Sequence, residues 1–203
     1  SNIISEPSVG YDVLYVSPLK ALINDQYRRL LDMTLDAKVD VTPWHGDVAA
    51  SRKSKSIKAP SGILIITPES LESFLINKHT IVKSALGNLK YVVVDELHSF
   101  IGNERGKQLQ SLLSRLEVIT DNKPPRIAMS ATFSDYEKVK TFLRPDQSVP
   151  CVIPAQGESN HEIRILIKEY IPEKEKGVEE DIAQEIFLKL RGHNNLAFTN
   201  SRV

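Results

Sequence analysis

The stretch richest in potential chemistry is Asp95-Glu96-Leu97-His98, which directly follows the apolar run Tyr91-Val92-Val93-Val94. Such a run reads as a buried β-strand, so two adjacent carboxylates would emerge together at its C-terminal end. A hard octahedral cation that keeps most of its waters needs only one or two protein carboxylates, so Asp95 alone could hold Mg²⁺ through water. Glu96 beside it could orient and deprotonate an attacking water, the chemistry of phosphoryl hydrolysis. An isolated Asp-Glu pair is more often a solvated strand-end turn, so the surrounding sequence has to decide.

The elements that must position this pair follow one pattern. Val13-Leu14-Tyr15-Val16 ends at Ser17-Pro18, residues 39–42 are stopped by Pro43, and Ile63-Leu64-Ile65-Ile66 stops at Thr67-Pro68. Residues 126–129 enter Ser130-Ala131-Thr132. Between these runs lie stretches of helical spacing. One covers 19–31, with Leu19, Leu22, Ile23, Gln26, Tyr27 and Leu30 on one face; another runs through Leu71, Phe74 and Leu75; a long one, 107–120, carries Leu109, Leu112, Leu113 and Leu116. Short apolar runs alternating with amphipathic stretches predict a parallel α/β sheet, and continuous apolar strands predict helices on both faces. Each run ends in small or polar residues, which collects those groups on the carboxyl rim where open parallel sheets bind ligands. Tyr11 and Tyr15 read as core.

Composition narrows the class. The chain has 203 residues with 26 Lys+Arg against 26 Asp+Glu, so its formal net charge is zero. That excludes a strongly basic coat for nucleic acid but not a local basic groove. The single cysteine, Cys151, cannot form an intramolecular disulfide or a cysteine-based zinc cluster, and His45, His79, His161 and His193 lack metal-ligand spacing. No apolar run approaches a membrane span and no signal-peptide pattern is present, so a cytoplasmic, soluble protein is expected. Beyond Leu143 the sequence turns to Arg144-Pro145, Pro150, Pro154 and Gln156-Gly157-Glu158-Ser159-Asn160, residues of turns and linkers. The expected organisation is a domain over 3–152, a linker over 153–160, and the start of a second α/β domain over 161–203. The latter would hold a strand at 163–167, a charged turn at 172–177, a helix at 178–191 and a strand at 196–199. Arg52, Lys53, Lys55 and Lys58 form a basic cluster that reads either as a solvated helix face or as part of a polymer path. Trp44 suits packing better than base stacking, and Arg105 could meet a phosphate or bridge to Glu104.

Five segments, in order and at strand ends, carry a resemblance. Ser17-Pro18-Leu19-Lys20-Ala21-Leu22, Thr67-Pro68-Glu69-Ser70, Asp95-Glu96-Leu97-His98, Ser130-Ala131-Thr132 and Phe198-Thr199-Asn200-Ser201-Arg202 resemble motifs Ia, Ib, II, III and IV of superfamily 2 DExH/DEAD-box helicases. Trp44-His45-Gly46-Asp47 and Gly102-Asn103-Glu104-Arg105-Gly106-Lys107-Gln108-Leu109-Gln110 look most like the large helicase-related (Lhr) group. The resemblance implies a RecA-like parallel sheet flanked by helices, of the P-loop NTPase type, followed by the beginning of a second RecA-like domain. It implies ATP and Mg²⁺ as cofactors, with Asp95 the metal partner and Glu96 the catalytic base. His98 would sense the γ-phosphate and couple it to Ser130 and Thr132. Ser17, Pro18, Lys20, Thr67, Pro68 and Glu69, with Thr199 and Arg202, would contact the backbone of one DNA or RNA strand, positioning it without reading its sequence.

One expected part is missing. The phosphate-binding loop, Gly-x-x-x-x-Gly-Lys-[Ser/Thr], should precede motif Ia, yet Gly10 is the sole glycine before Ser17 and no lysine occurs there. Motifs V and VI are not found before Val203. The expectation is therefore a fragment of an ATP-dependent helicase, inactive by itself, whose partners include the remainder of its parent chain. Other readings are a non-catalytic nucleic-acid-binding module and a motor subunit of a defence or restriction complex without strand separation. Without the phosphate-loop strand, 126–129 would keep an unpaired edge open to association, unless Ile3-Ile4 or another segment fills it.

Overall fold

The computed structural model describes residues 9–131, 135–146, 148–152, 167–169 and 178–192. Apolar runs become strands where β-branched residues recur: β1 (Val13–Val16), β2 (Val41–Trp44), β3 (Ile63–Ile66), β4 (Tyr91–Val94) and β5 (Arg126–Ala128). They form one parallel sheet of order β2-β3-β1-β4-β5. Helices α1 (Lys20–Thr34), α2 (Ala50–Lys58), α3 (Pro68–Asn77), α4 (His79–Leu86), α5 (Glu104–Thr120) and α6 (Tyr136–Leu143) connect and follow the strands.

The sheet has two cores because successive strand side chains alternate faces. Leu14, Val16, Leu64, Ile66, Val92 and Val94 point to one side, where they meet Leu71, Phe74, Val82, Leu109, Leu112 and Phe142 of α3 to α6. Val13, Tyr15, Ile63, Ile65 and Val93 point to the other, against Ile23, Tyr27 and Leu30 of α1. The expected flanking of both faces is what the structure has, and Tyr11 and Tyr15 are buried as read.

Several elements differ from the sequence reading. β2 includes Pro43 instead of ending before it. Among the described residues β2 pairs only with β3, and on such an edge strand proline's missing N–H can face away from the ladder. The basic cluster forms a helix, α2, that buries no residue, which is the solvated helix face that was one of its two readings. Short α4 and α6 were not predicted; α6 is announced by Asp135, whose carboxylate accepts from the N–H groups of Glu137 (3.1 Å) and Lys138 (3.2 Å). The long helix α5 starts earlier than expected, at Glu104, because Asn103 Oδ1 accepts from Gly106 N at 2.9 Å and caps it. A side chain at Gly106 would place its Cβ 1.8 Å from the Phe100 carbonyl, so only glycine lets α5 begin this close to the preceding turn.

Arg144, first residue of the turn-rich segment, belongs to the first unit. It and Arg126 both pair with Glu117 on α5; Arg126 Nη2 lies 2.7 Å from Glu117 Oε1. Arg126 also donates to the Leu143 carbonyl (2.5 Å) and Arg144 to the Pro124 carbonyl (2.9 Å), tying β5, α5 and the end of α6 together. Contacts divide the chain into two units, Ser1–Val152 and Ile153–Val203. In the second, α7 (Val178–Leu190) matches the expected helix, with Lys189 2.8 Å from Glu185. The proposed linker at 153–160 and the strand at 196–199 lie outside the described residues, as do Ile3-Ile4 and all of 163–167 except its last residue.

Glu117→Gln removes the carboxylate that two buried guanidinium groups share and should lower unfolding stability by about 3 kcal/mol, the usual cost of breaking a buried ion pair from one side. A urea midpoint unchanged from wild type would show that the cluster contributes nothing.

Candidate active site and groove at the strand ends

The strands stop together. Val16 is paired with both Ile66 and Val94, Ile66 with Trp44, and Val94 with Ala128. One residue further lie His45, Thr67, Ser17 and Asp95, all polar and all buried. Backbone bonds continue across this layer: Ser17 N to Ile66 O (3.0 Å), Asp95 N to Val16 O (2.9 Å) and Leu97 N to Met129 O (3.0 Å). Ser17 Oγ, His45 Nδ1 and Glu96 Oε2 are buried side-chain atoms with no hydrogen-bond partner among the described residues, and all three are at this rim. Orphaned buried polar groups cost free energy, and their collection in one place marks a site rather than a packing layer.

Around β4 the structure brings four predicted residues together. Asp95 is 7% exposed and its Oδ1 accepts from Glu96 N at 3.0 Å. Glu96 adopts a left-handed backbone (φ 48°, ψ 48°), unusual for a non-glycine residue, and a single 3-10 turn, Leu97–Ser99, follows it. That reversal returns His98 toward Glu96, with His98 Nδ1 3.2 Å from Glu96 Oε2 and 2.9 Å from Ser130 Oγ. The Glu96 contact is close but not aligned as a hydrogen bond, so the ring's directional bond is to Ser130. Thr132 lies outside the described residues. A residue read only as core joins this group: the Tyr15 hydroxyl hydrogen-bonds to Asp95. Burial, that bond and the Asp95 charge hold the Tyr15 phenol well above its ordinary value, so it stays a donor. Register explains the contact, since Tyr15 lies opposite Val93 and Asp95 is on the same face two residues on. No sequence signal distinguished Tyr15 from its core neighbours.

A separate groove of about 720 Å³ opens over the ends of β1, β2 and β3. Pro18, Lys20, Thr67 and Glu69, among the predicted strand contacts, line it. Ser17 has no exposed surface, and Pro68 is buried at the first position of α3, where Thr67 Oγ1 caps Ser70 N at 3.3 Å. Thr199 and Arg202 lie outside the described residues. Arg105 lines the groove too, and it does not bridge to Glu104. It forks Glu69 (Nε–Oε1 2.6 Å, Nη2–Oε2 3.0 Å) and donates from Nη2 to the Pro18 carbonyl at 2.6 Å. Its guanidinium stands 5.6 Å from the Phe100 ring centre, and Lys107 takes Glu104 instead. One arginine thus ties the start of α5 to the ends of β1 and β3. Lys20 is paired with Asp47 at 2.9 Å, a partner the quoted Trp-His-Gly-Asp segment contained without any assigned role. Trp44 packs edge-on against Phe74, ring centres 5.1 Å apart, in keeping with the packing reading. Burial lowers the affinity of His45 for a proton, and its Nε2 lies 3.2 Å from Asn24 Oδ1.

Burial pushes the Glu69 carboxyl up, but the bond and charge of Arg105, together with bonds from the backbone and Thr67, outweigh it and the group sits below its ordinary value. A carboxyl so depressed supports the fold above its unfolded-state pKa, and this support is lost as pH falls through the folded-state value. Arg105→Ala should therefore move the Glu69 titration, followed by carboxyl NMR, upward. A midpoint that stays put would show that Arg105 does not hold it.

Comparison with known proteins agrees with this geometry. The model of the DEAD/DEAH box helicase family matches residues 1–141. The chain is 30% identical over 97% of its length to a Lhr helicase/probable uracil glycosylase of Mycolicibacterium smegmatis, covering 14% of that protein. It is also 30% identical over 93% of its length to the ATP-dependent helicase Lhr-Core of Saccharolobus solfataricus, covering 23% of it. The structure of Mycobacterium smegmatis helicase Lhr bound to ssDNA and AMP-PNP superposes with a TM-score of 0.72 at 28% identity, over 94% of this chain and 26% of that one. The strand ends, the carboxylate pair and these matches agree that the chain belongs to the DEAD/DEAH box helicase family and is similar within it to the Lhr helicases.

Proposed function

We propose that these residues form most of the first motor domain, and the start of the second, of an ATP-dependent helicase or translocase that moves along one strand of DNA or RNA. The observation that carries the reading is the shared rim. The Asp95-Glu96-His98-Ser130 cluster and the groove over Pro18, Lys20 and Thr67 stand on neighbouring strands of one in-register ladder. A displacement on one side is thereby transmitted to the other through backbone hydrogen bonds. Support comes also from the relatives, although the chain spans only 14% and 23% of the lengths of the two named above.

The residues present suit Mg²⁺. Among the described residues no group of three or more His, Cys, Asp or Glu could cage a metal, whereas a Mg²⁺ that retains its waters requires little more than Asp95. Asp95 would hold Mg²⁺ through water, and the ion would supply positive charge against the charge developing on the phosphates. Tyr15 and the Glu96 N–H, both donating to Asp95, would fix the direction in which its carboxylate faces. Glu96 would orient and accept a proton from the attacking water at the oxygen not aligned with any donor, Oε2. His98, bonded to Ser130, would report the state of the site to the β5 end.

The residues present do not make a whole nucleotide site, since the 203 residues contain no Gly-x-x-x-x-Gly-Lys-[Ser/Thr] loop. This chain alone is therefore expected to hydrolyse ATP no faster than buffer, with or without added DNA or RNA. A form of the protein extended to include a phosphate loop and the remaining motor motifs should hydrolyse ATP with nucleic-acid stimulation, and Glu96→Gln should abolish it. Stimulated turnover by the 203-residue chain that disappears on Glu96→Gln would overturn the first expectation. Turnover in the extended form that survives the substitution would overturn the role given to Glu96.

A further inference from the structure

The groove carries three cations that differ in one respect. Lys20 and Arg105 each hold a carboxylate, Asp47 and Glu69 respectively. Lys53 of α2 makes no ion pair among the described residues; its ammonium lies 5.6 Å from the centre of the Trp44 ring. The charge of Asp47 reaches Lys53, but that carboxylate is committed first to Lys20.

Helix geometry divides the basic cluster that the sequence presents as a unit. Arg52 turns to α1, donating from Nη2 to the Tyr27 hydroxyl at 2.6 Å with its guanidinium 5.2 Å from the ring centre. Lys55 and Lys58 occupy the last turn of α2, where cations favourably meet the helix dipole. Both are exposed and neither lines the groove. Lys53 alone of the four does, and it is half-buried. A cation–π contact of this kind is weak at partly exposed sites, enough to orient an ammonium but not to satisfy it.

Resting on the single-strand reading above, we infer that Lys53 is the groove's phosphate-contacting cation, while Lys20 and Arg105 are held by their carboxylates as walls that give the groove its shape. The occupant is the sugar-phosphate backbone of one nucleic-acid strand. For Lys20 or Arg105 to take a phosphate, a carboxylate already in place has to leave, so one ion pair replaces another and few counterions are freed. Lys53 has no such competitor. Binding in this groove should then show a log–log salt slope near that of a single phosphate contact on single strands, about −0.7, and not the value of about −2 expected for three.

The test measures fluorescence anisotropy of labelled oligo(dT) and oligo(U) with the wild-type chain, Lys53→Gln, Lys53→Arg and Lys55→Gln over a range of KCl concentrations. Far-ultraviolet circular dichroism and the thermal unfolding midpoint check that each variant keeps its fold. Lys53→Gln should weaken binding about 5- to 10-fold at low salt and flatten the slope by about 0.7, whereas Lys53→Arg should retain both affinity and slope. Lys55→Gln should change affinity less than about twofold, as expected for a charge that touches no phosphate. Equal losses for Lys53→Gln and Lys55→Gln, or an unchanged slope for Lys53→Gln, would overturn the assignment while leaving the strand reading intact. Failure of the folded wild-type chain to bind either oligonucleotide would overturn both. Preference for oligo(dT) or oligo(U) identifies which polymer the groove takes, provided Lys53→Gln weakens the preferred one.

Discussion

Hydrogen bonding between parallel strands fixes not only which strands are neighbours but where each one ends. Here the ladder is in register across all five strands, so the residue after each strand falls in one transverse layer. A slip of one residue in β4 would turn Asp95 to the opposite face, away from Tyr15, and replace it at the rim with an apolar valine. The register is enforced by burial, because Val13 to Val16 and their partners on β3 and β4 are covered on both faces. The chemistry at the rim thus depends on packing well below it. Strand order contributes as well. From β1 the chain moves to one side for β2 and β3 and to the other for β4, so Ser17 and Asp95 flank the point where the order reverses. Open α/β sheets bind ligands at such a crevice.

Much of this was legible in the sequence, for a physical reason. Five short apolar runs, each ended by Ser-Pro, Thr-Pro, Asp-Glu or a similar break, carry both the strand and its stop signal locally, so four strands were placed within a residue of where they lie. What was not legible depends on three-dimensional neighbours. Pro43 reads as a strand breaker until β2 proves to be an edge. Arg144 reads only as part of a turn-rich stretch at the end of the first domain until Glu117 comes within reach. The pairing of Arg105 with Glu69 instead of the adjacent Glu104 follows from the close start of α5, which Gly106 permits. α2 was legible only as a run of charge, since it leans on the core through the partly buried Ile57 alone.

The two halves of the rim differ in their electrostatic design. On the groove side most charge is already matched: Lys20 with Asp47 and Arg105 with Glu69. This agrees with a chain of zero net charge that still offers a local concave polar surface. On the other side polar groups are crowded but incompletely matched, and Glu96 stands in a backbone conformation that costs an L-residue about 1–2 kcal/mol. Strain of that kind persists where surrounding structure over-determines it, here through the bond from Leu97 N to Met129 O and the buried Leu97 and Phe100 side chains.

β5 has only three residues, and among the described residues it bonds to β4 alone. Ile127 and Met129 are 43% and 39% exposed, values unlike those of any central strand. Ser130 hangs from the end of this strand, while His98, its partner, is anchored in a turn backed by buried Leu97 and Phe100. The contact between them therefore joins a turn rooted in the core to a strand end with little cover among the described residues. The bond between Ser130 and His98 thus links the end of β5 to the turn that carries the carboxylate pair, so the two strand ends share one side-chain contact as well as their backbone ladder.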